Sequence, residues 1–588
     1  MHLICNQGVG GSNPSAGRSL LDLTKLSPTR ASTSRICFVL AALLYSLPTL
    51  LIAVWAMKGQ SARIVLMVVV STALIATLVA VVARTWRRFF VWQWPLFALE
   101  IVFVGYTLNF GMPPAHTLSM IVVNTSMEEI VGFIRVAQGA MPVGVWVAAT
   151  GLYWWLARNV ADEPVFALQT RRLRPYFLAA MLLATAFLGV NSADLIDGIA
   201  LNPAAGSLIF IGGWLPRAHS EMHGSSVHKI PYRAHREGGE EVHILIIGES
   251  ERRASWSTYG YHRMTTPFMD KLKHEAVFLE NATADANLTS WAVPIILTGM
   301  SPEEFALDKI RGNLVDLANE AGYSTAWVDN QDIQTATAVG MSATHTTNPI
   351  DLHADSMGRH TLDEVLLPAI QRELDRSGEP RFIVIHMMGA HWEYYRRYPK
   401  SFQRFGTGQG LSLLSIFFAD PKGLSNVVDA YDNAVLYNDW FLHQVIESAR
   451  GLSVPATVLF VSDHGEDLQL LDGTAGHGAP AYTDHAFDIP AFVWVNEDYR
   501  AKYPVRVHAL ESNAARGFRS HNVFETEREL MGIHWPGERA ERSLVSEGYV
   551  PSTEVRYVAG GNQINKPTAT TLSPVPREDS PQRSKSAM

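Results

Sequence analysis

The distribution of apolar residues constrains this chain more than any other feature. Five long apolar runs fall before residue 191, at about 36–57, 64–83, 89–110, 141–157 and 176–190. A helix needs roughly 20 apolar residues to cross the hydrocarbon core of a bilayer. Three of the runs reach that length, and two lie at its short limit. One such run could be a buried helix of a soluble protein, but five in series could hardly be. The sequence therefore predicts a transmembrane domain of five helices over 35–190.

Basic residues in the short loops set the orientation. With the N-terminus inside, the inner segments hold eleven Lys and Arg, among them Arg30, Arg35, Arg84, Arg87, Arg88, Arg171, Arg172 and Arg174. The outer loops hold only Lys58, Arg63 and Arg135. The fifth helix then delivers everything after about residue 191 to the outer side of the membrane, which is the periplasm in a bacterium with an outer membrane. The first run is too long for a cleavable signal peptide and has no small-residue cleavage pattern after it. In the N-terminal tail, 1–34, Gly11-Ser12-Asn13-Pro14 is what the generic T-arm of a transfer RNA gene encodes in this frame. About the first twenty residues are therefore expected to be an over-extended gene start.

The two cysteines, Cys5 and Cys37, both precede the outer region, so no disulfide can support it. A net charge of −8 disfavours nucleic acid as a partner, and the chain is expected to act as a monomer. An outer segment at 111–140 has helical spacing of apolar positions and would lie on the membrane surface. Residues 191–240 read as a Gly-, Pro- and His-containing connector. From 241 to about 550, short β-rich runs alternate with helical stretches. The runs at 242–247, 324–328, 381–386, 457–462 and 491–495 predict the strands of a doubly wound α/β sheet. Residues 551–588 are rich in Ser, Thr, Pro and Arg and are expected to be disordered.

Polar groups gather at the ends of these strands. Glu249 ends the first, Asp463-His464-Gly465-Glu466 ends "TVLFVS", His391 follows the strand that carries His386, and His477 lies 14 residues after Asp463. Ligands of α/β sheets bind at the carboxyl ends of strands. Carboxylates with imidazole suit zinc, or less well manganese. A lone histidine is more often a surface or hydrogen-bonded residue, so the weight rests on the joint placement. Thr289 and Ser290 precede an apolar helical stretch. A hydroxyl there is either an N-cap or a nucleophile beside the positive helix end, and spacing alone leaves both open.

The stretch "GESERRASWSTYGYHRMTTP" resembles the metal-binding opening of the membrane phosphoethanolamine transferases, a sulfatase-like group of the alkaline-phosphatase superfamily that includes the colistin-resistance enzymes. "TSWAVP", "WVDNQ", "LDEVLL", "HMMGAHWEYYRRYP", "YDNAVLYNDW", "SDHGE" and the "HG" at His477 continue the resemblance in order over about 35–535. It implies an α/β/α alkaline-phosphatase/sulfatase-like domain over 241–550. It implies a catalytic zinc held by Glu249, Thr289, Asp463 and His464, with Thr289 the nucleophile. His391 and His477 would serve a second metal ion or the incoming substrate, and Thr125 and Glu129 would hold the donor. The implied reaction moves phosphoethanolamine from phosphatidylethanolamine to lipid A, core oligosaccharide or a periplasmic glucan. Glu129 suits an ammonium group, though it would equally suit the solvated face of an amphipathic helix.

Three departures bear on the acceptor. The lipid A–modifying members carry disulfides in the outer domain, which this chain cannot form. Ile121 stands where they have Asn, and Trp392-Glu393 replaces the usual Gly-Pro after His391. These lean the acceptor away from lipid A toward core sugars or glucans, and Arg396 and Arg397 could meet an acceptor phosphate. Competing readings are a formylglycine sulfatase, which would need a C/S-x-P-x-R motif that the outer domain lacks, a glycerol-phosphate transferase or phosphodiesterase, and a catalytically dead membrane sensor.

Overall fold

The computed structural model describes residues 28–57, 62–110, 137–165, 201–223 and 231–551, with gaps at 307–308, 332–342, 348–361, 393, 407–420, 469–475 and 479–481. A few single residues and the stretches 118–119, 122–123, 556–559 and 562–565 are also described. Contacts divide the chain into two compact units, one of residues 1–104 and 146–205, the other of 105–145 and 206–588.

The first unit is built on helices α1 (Pro28–Ala56), α2 (Ala62–Ala83) and α3 (Trp86–Phe110), with much of α4 (Ala137–Asn159). Among the described residues three helices are long and apolar enough to span a membrane: Ser32–Ala56, Val65–Ala83 and Trp86–Leu108. The fourth apolar run is helical as α4 but is not one of these three, and the fifth lies outside the described residues. Of the five expected helices, the described residues thus show three spans and one further helix. Leu43, Leu50 and Val54 of α1 are exposed, as lipid-facing side chains would be. Polar side chains join the helices instead of facing outward. Thr49 and Thr72 share a 2.9 Å hydrogen bond, Asn202 donates to Val68 O at 2.8 Å, and Gln93 donates to the Tyr45 hydroxyl at 3.2 Å. In hydrocarbon such groups have no water to fall back on.

The second unit centres on a seven-stranded sheet. Its strands are β1 (Val242–Gly248), β2 (Ala276–Phe278), β4 (Ser324–Asp329), β5 (His345–Thr347), β6 (Arg381–His386), β7 (Ala456–Ser462) and β8 (Ala491–Val495). The spatial order is β2-β8-β7-β1-β6-β4-β5, and β3 (Asn281–Thr283) pairs separately with β9 (Gly517–Arg519). All five expected strands are present. The structure adds the short edge strands β2 and β5, and it makes β8 antiparallel to β7. Strand β1 is central and parallel to both β6 and β7. It is buried on both faces, which is why its sequence shows no polar alternation. Leu245 and Ile247 face one core, while Ile244 and Ile246 face the other. The first core is covered by α5 (Thr289–Thr298), α6 (Leu314–Glu320) and α9 (Asn522–Leu530). The second is covered by α7 (Leu367–Leu374) and the long α8 (Pro421–Arg450).

Two boundaries differ from expectation. The stretch expected to be a connector is helical over Pro203–Ile209 and Leu215–His223. In the tail expected to be disordered, Arg556–Ala559 pairs with Asn562–Asn565.

Candidate active site

The parallel register of β1 with β6 and β7 brings three strand ends together. Beyond Gly248, the backbone N–H of Asp463 donates to Gly248 O at 3.0 Å and that of Ala390 donates to Glu249 O at 3.0 Å. A side chain at Gly248 would strike the Phe460 ring at 2.7 Å. Gly389 adopts φ +51°, and a Cβ there would lie 2.8 Å from the Glu249 carbonyl oxygen. Only glycine lets the His391 loop press this closely on the first strand. Ser250 takes a left-handed φ of 57°, uncommon for a residue with a side chain, and this turns its N–H toward Asp463 Oδ1 at 3.2 Å.

Thr289 is the first residue of α5, and its cap position is filled by Leu288, which makes no side-chain capping bond. The threonine hydroxyl instead points across the site, donating to Glu249 Oε2 at 3.1 Å and lying 3.2 Å from His464 Nε2. Of the two openings the sequence leaves, the N-cap is not the one adopted.

The chemistry of the donor set fits a cation. His464 Nδ1 lies 2.9 Å from Gly465 O, so it carries the proton and leaves the Nε2 lone pair facing inward. That lone pair sits 3.4 Å from Asp463 Oδ2 and 3.6 Å from Glu249 Oε1. Asp463 Oδ2 is buried and has no hydrogen-bond partner. Burial and the Glu249 charge push Asp463 well above the usual carboxylate range. Glu249, although buried, is held below that range by the imidazoles of His464, His391 and His477. Burial and the neighbouring His477 bring His464 down to about 4. Four inward-facing donors, one of them an orphaned carboxylate oxygen, are a set that suits a metal ion. Glu249, His464 and His477 each bring one ligand atom to within 4.8 Å of the others.

The two outer histidines line the same opening. The His477 ring lies 4.2 Å from that of His464 and 5.9 Å from that of His391. His477 Nδ1 donates to Glu466 Oε2 at 2.7 Å, and the Tyr394 hydroxyl donates to Glu466 Oε1 at 2.6 Å. The structure thus gathers Glu249, Thr289, Asp463, His464, His391 and His477 into one site. Thr125 and Glu129 lie outside the described residues.

Several neighbours have no role in the sequence reading. Gln331 Nε2 donates to Glu249 Oε2 at 2.8 Å and to Met387 O at 2.7 Å, bridging the Glu249 carboxylate and the backbone just past β6. Its signal was its place just past the end of β4. Asp363 accepts the N–H groups of Met388 and Gly389 at 2.8 and 2.9 Å, holding the His391 loop from behind. Arg397 packs against the His391 loop. It is buried and donates to His391 O at 2.9 Å and Trp392 O at 3.0 Å, while Arg396 lies over the Tyr395 ring.

By fold and site the outer unit is a sulfatase-like domain, and residues 242–533 match the sulfatase family. More narrowly, curated relatives that the chain resembles are named phosphoethanolamine transferases. It is 26% identical over 348 residues to phosphoethanolamine transferase EptC of Escherichia coli (strain K12), an alignment covering 57% of this chain and 58% of that protein. The chain thus spans less than two thirds of that relative. The integral membrane lipooligosaccharide phosphoethanolamine transferase A of Neisseria meningitidis has the same fold, with a TM-score of 0.69 at 20% identity over 87% of this chain and 98% of that one. The periplasmic domain of E. coli EptC in complex with zinc superposes with a TM-score of 0.51 at 22% identity, covering 58% of this chain and 98% of that one.

Proposed function

We propose that this chain transfers phosphoethanolamine from phosphatidylethanolamine to an envelope glycan or lipid A, with Thr289 as nucleophile. The observation that carries the reading is the Thr289 hydroxyl, freed from capping and set 3.1 Å from Glu249 and 3.2 Å from His464. Zinc is the ion proposed, in keeping with the zinc complex of E. coli EptC; held by Glu249, Thr289, Asp463 and His464, it would lower the hydroxyl pKa and offset charge on the phosphoryl oxygens.

The rest follows from the chain's own groups. Thr289 Oγ1 gives up its proton along its hydrogen bond to Glu249 and on to solvent and forms a bond to the donor phosphorus, and the bond from phosphorus to the diacylglycerol oxygen breaks. The positive N-terminal end of α5, where Thr289 sits, would favour the phosphate's charge. His477, oriented by Glu466, is placed to protonate the leaving oxygen and then to take the proton of the acceptor as it displaces Thr289. His391 lines the other wall, where the acceptor or a second metal ion would sit. The domain works on the periplasmic side of the inner membrane, and its apolar helices keep it beside its lipid donor. Convergence of all four metal donors disfavours a dead sensor.

The absence of cysteine from the outer unit leans the acceptor toward core sugars or glucans. Mass spectrometry of lipid A, core oligosaccharide and glucans from strains with and without the gene tests both levels. A phosphoethanolamine mass gain on core or glucan is expected. A gain confined to lipid A overturns the lean, and no gain in any of the three overturns the transferase reading.

A further inference from the structure

Thr289 reaches the site on a short arm, residues 284–288, which leaves β3 and enters α5. Near the root of that arm, Asp285 is fully buried and surrounded by donors. Its Oδ1 accepts from Arg519 Nε at 2.9 Å and Arg519 Nη2 at 2.6 Å. Its Oδ2 accepts from the Ser520 hydroxyl at 2.9 Å, the His521 N–H at 2.7 Å and His521 Nδ1 at 2.9 Å. Asp285 N–H donates back to the Ser520 hydroxyl at 2.9 Å. Five donors on one carboxylate, including the paired fork of a guanidinium, fix its position and orientation. Two residues further on, Asn287 O accepts from the Gly478 N–H at 2.7 Å, beside His477. The arm is therefore tied at its root to the 519–521 turn and near its tip to the His477 loop.

A buried ion pair is weak evidence for stability, because well-packed apolar residues serve as well or better. What the clamp does supply is geometry, since only Ala286, Asn287 and Leu288 separate Asp285 from Thr289. We propose that Asp285, clamped by Arg519, Ser520 and His521, is a positioning residue that sets the Thr289 hydroxyl in line for attack. It touches neither the hydroxyl nor the metal donors and acts through the arm. The inference rests on Thr289 being the nucleophile.

The test uses the full-length protein in detergent, loaded with zinc, and a p-nitrophenyl phosphodiester of ethanolamine as substrate. Asp285→Asn keeps the volume and loses the charge; Arg519→Lys keeps the charge and loses the fork. Burst amplitude gives the concentration of active sites and burst rate gives the transfer onto Thr289. A misplacement of about 1 Å costs about 100-fold in rate, so both variants should show a burst rate per active site about 10- to 100-fold lower. KM should stay within about twofold and zinc content should match the wild type. A burst of reduced amplitude with an unchanged rate per site would overturn the inference, leaving Asp285 a merely structural residue. Loss of zinc from the variants would also overturn it, by moving the effect to the metal site. If Asp285→Asn does not fold, Arg519→Lys decides on the same criteria. A wild type that forms no Thr289 adduct refutes the nucleophile reading instead, and the clamp inference falls with it.

Discussion

A buried carboxylate and a buried imidazole meet at each end of strand β1, and the two ends treat them in opposite ways. At the amino end, Glu241 accepts from Lys502 and from the Tyr503 hydroxyl, and its Oε2 lies 3.3 Å from His243 Nε2. The other nitrogen of His243 meets Thr457 Oγ1 at 2.8 Å. Burial alone would raise Glu241, yet His243, Lys502 and Tyr503 hold it down to about 2. At the carboxyl end Glu249 and Asp463 crowd one imidazole lone pair, and Asp463 Oδ2 has no partner. Residue types do not separate the two places. Satisfaction does: one end is hydrogen-bonded within the protein, and the other leaves Asp463 Oδ2 without a hydrogen-bond partner, where the proposed cation would complete it.

The largest effects test that distinction. Asp463→Ala should lose bound zinc and activity together, with turnover down by at least about 1,000-fold. Its zinc-free thermal midpoint should change little, because loss of the unpartnered Oδ2 is offset by loss of the Oδ1 bonds to the Ser250 and His464 N–H groups. Full activity in this variant would refute the site. Thr289→Ala should show no turnover and Thr289→Ser a measurable fraction, with intact-mass measurement finding the phosphoethanolamine adduct on residue 289 and not on Ser290.

The amino end should answer in the reverse sense. Glu241→Gln breaks a buried, matched cluster and should cost about 3 kcal/mol of stability by denaturant unfolding. Turnover per folded molecule should stay within twofold, since the change is a full strand length from Thr289. A large loss of turnover at unchanged stability would mean that the two ends are not separable.

Chelation gives a smaller effect with the same logic. A ligand that binds only the folded state stabilises it by about 2.7 kcal/mol at one hundred times its dissociation constant. Removing zinc from the wild type should lower its thermal midpoint by a few degrees, and the same treatment should leave Asp463→Ala unmoved.

Much of this was legible in the sequence, for identifiable reasons. The five main strands are short apolar runs bounded by polar residues, and doubly buried strands cannot be written otherwise. Edge strands β2 and β5 have three residues each and carry no such pattern. Glu249, Asp463 and His464 could be read because they follow strand ends in recognisable motifs, and Thr289 because it opens an apolar helical stretch. Gln331, Asp363 and Asp285 could not be assigned a task, since what marks them is a partner distant in the chain: Glu249 for the first, the Met388–Gly389 backbone for the second, Arg519 to His521 for the third. Arg397 has a structural contact that its sequence position does not show. A charged residue beside a catalytic loop suggests a substrate contact, whereas its guanidinium is consumed by the backbone of that loop.

The smallest predicted effect concerns how the amino end responds to acid. Glu241 titrates from 4.5 in the unfolded chain down to about 2 in the fold. A depressed carboxylate contributes stability that is fully present above the unfolded pKa and is lost as pH falls through the folded one. The wild type should therefore lose stability between about pH 4.5 and 2 through this group, in addition to what other carboxylates contribute. Lys502, with 39% of its side chain exposed, is the partner most screened by water. Lys502→Met should cost under about 1 kcal/mol at neutral pH. It should also raise the Glu241 pKa, so that the Glu241-dependent part of the acid limb narrows from its lower edge. Subtracting unfolding curves of Glu241→Gln from those of its parent, with and without Lys502, isolates that part. An unchanged difference between the two backgrounds would show that His243 and Tyr503 hold the carboxylate without help, and that the amino end is complete even without its exposed cation.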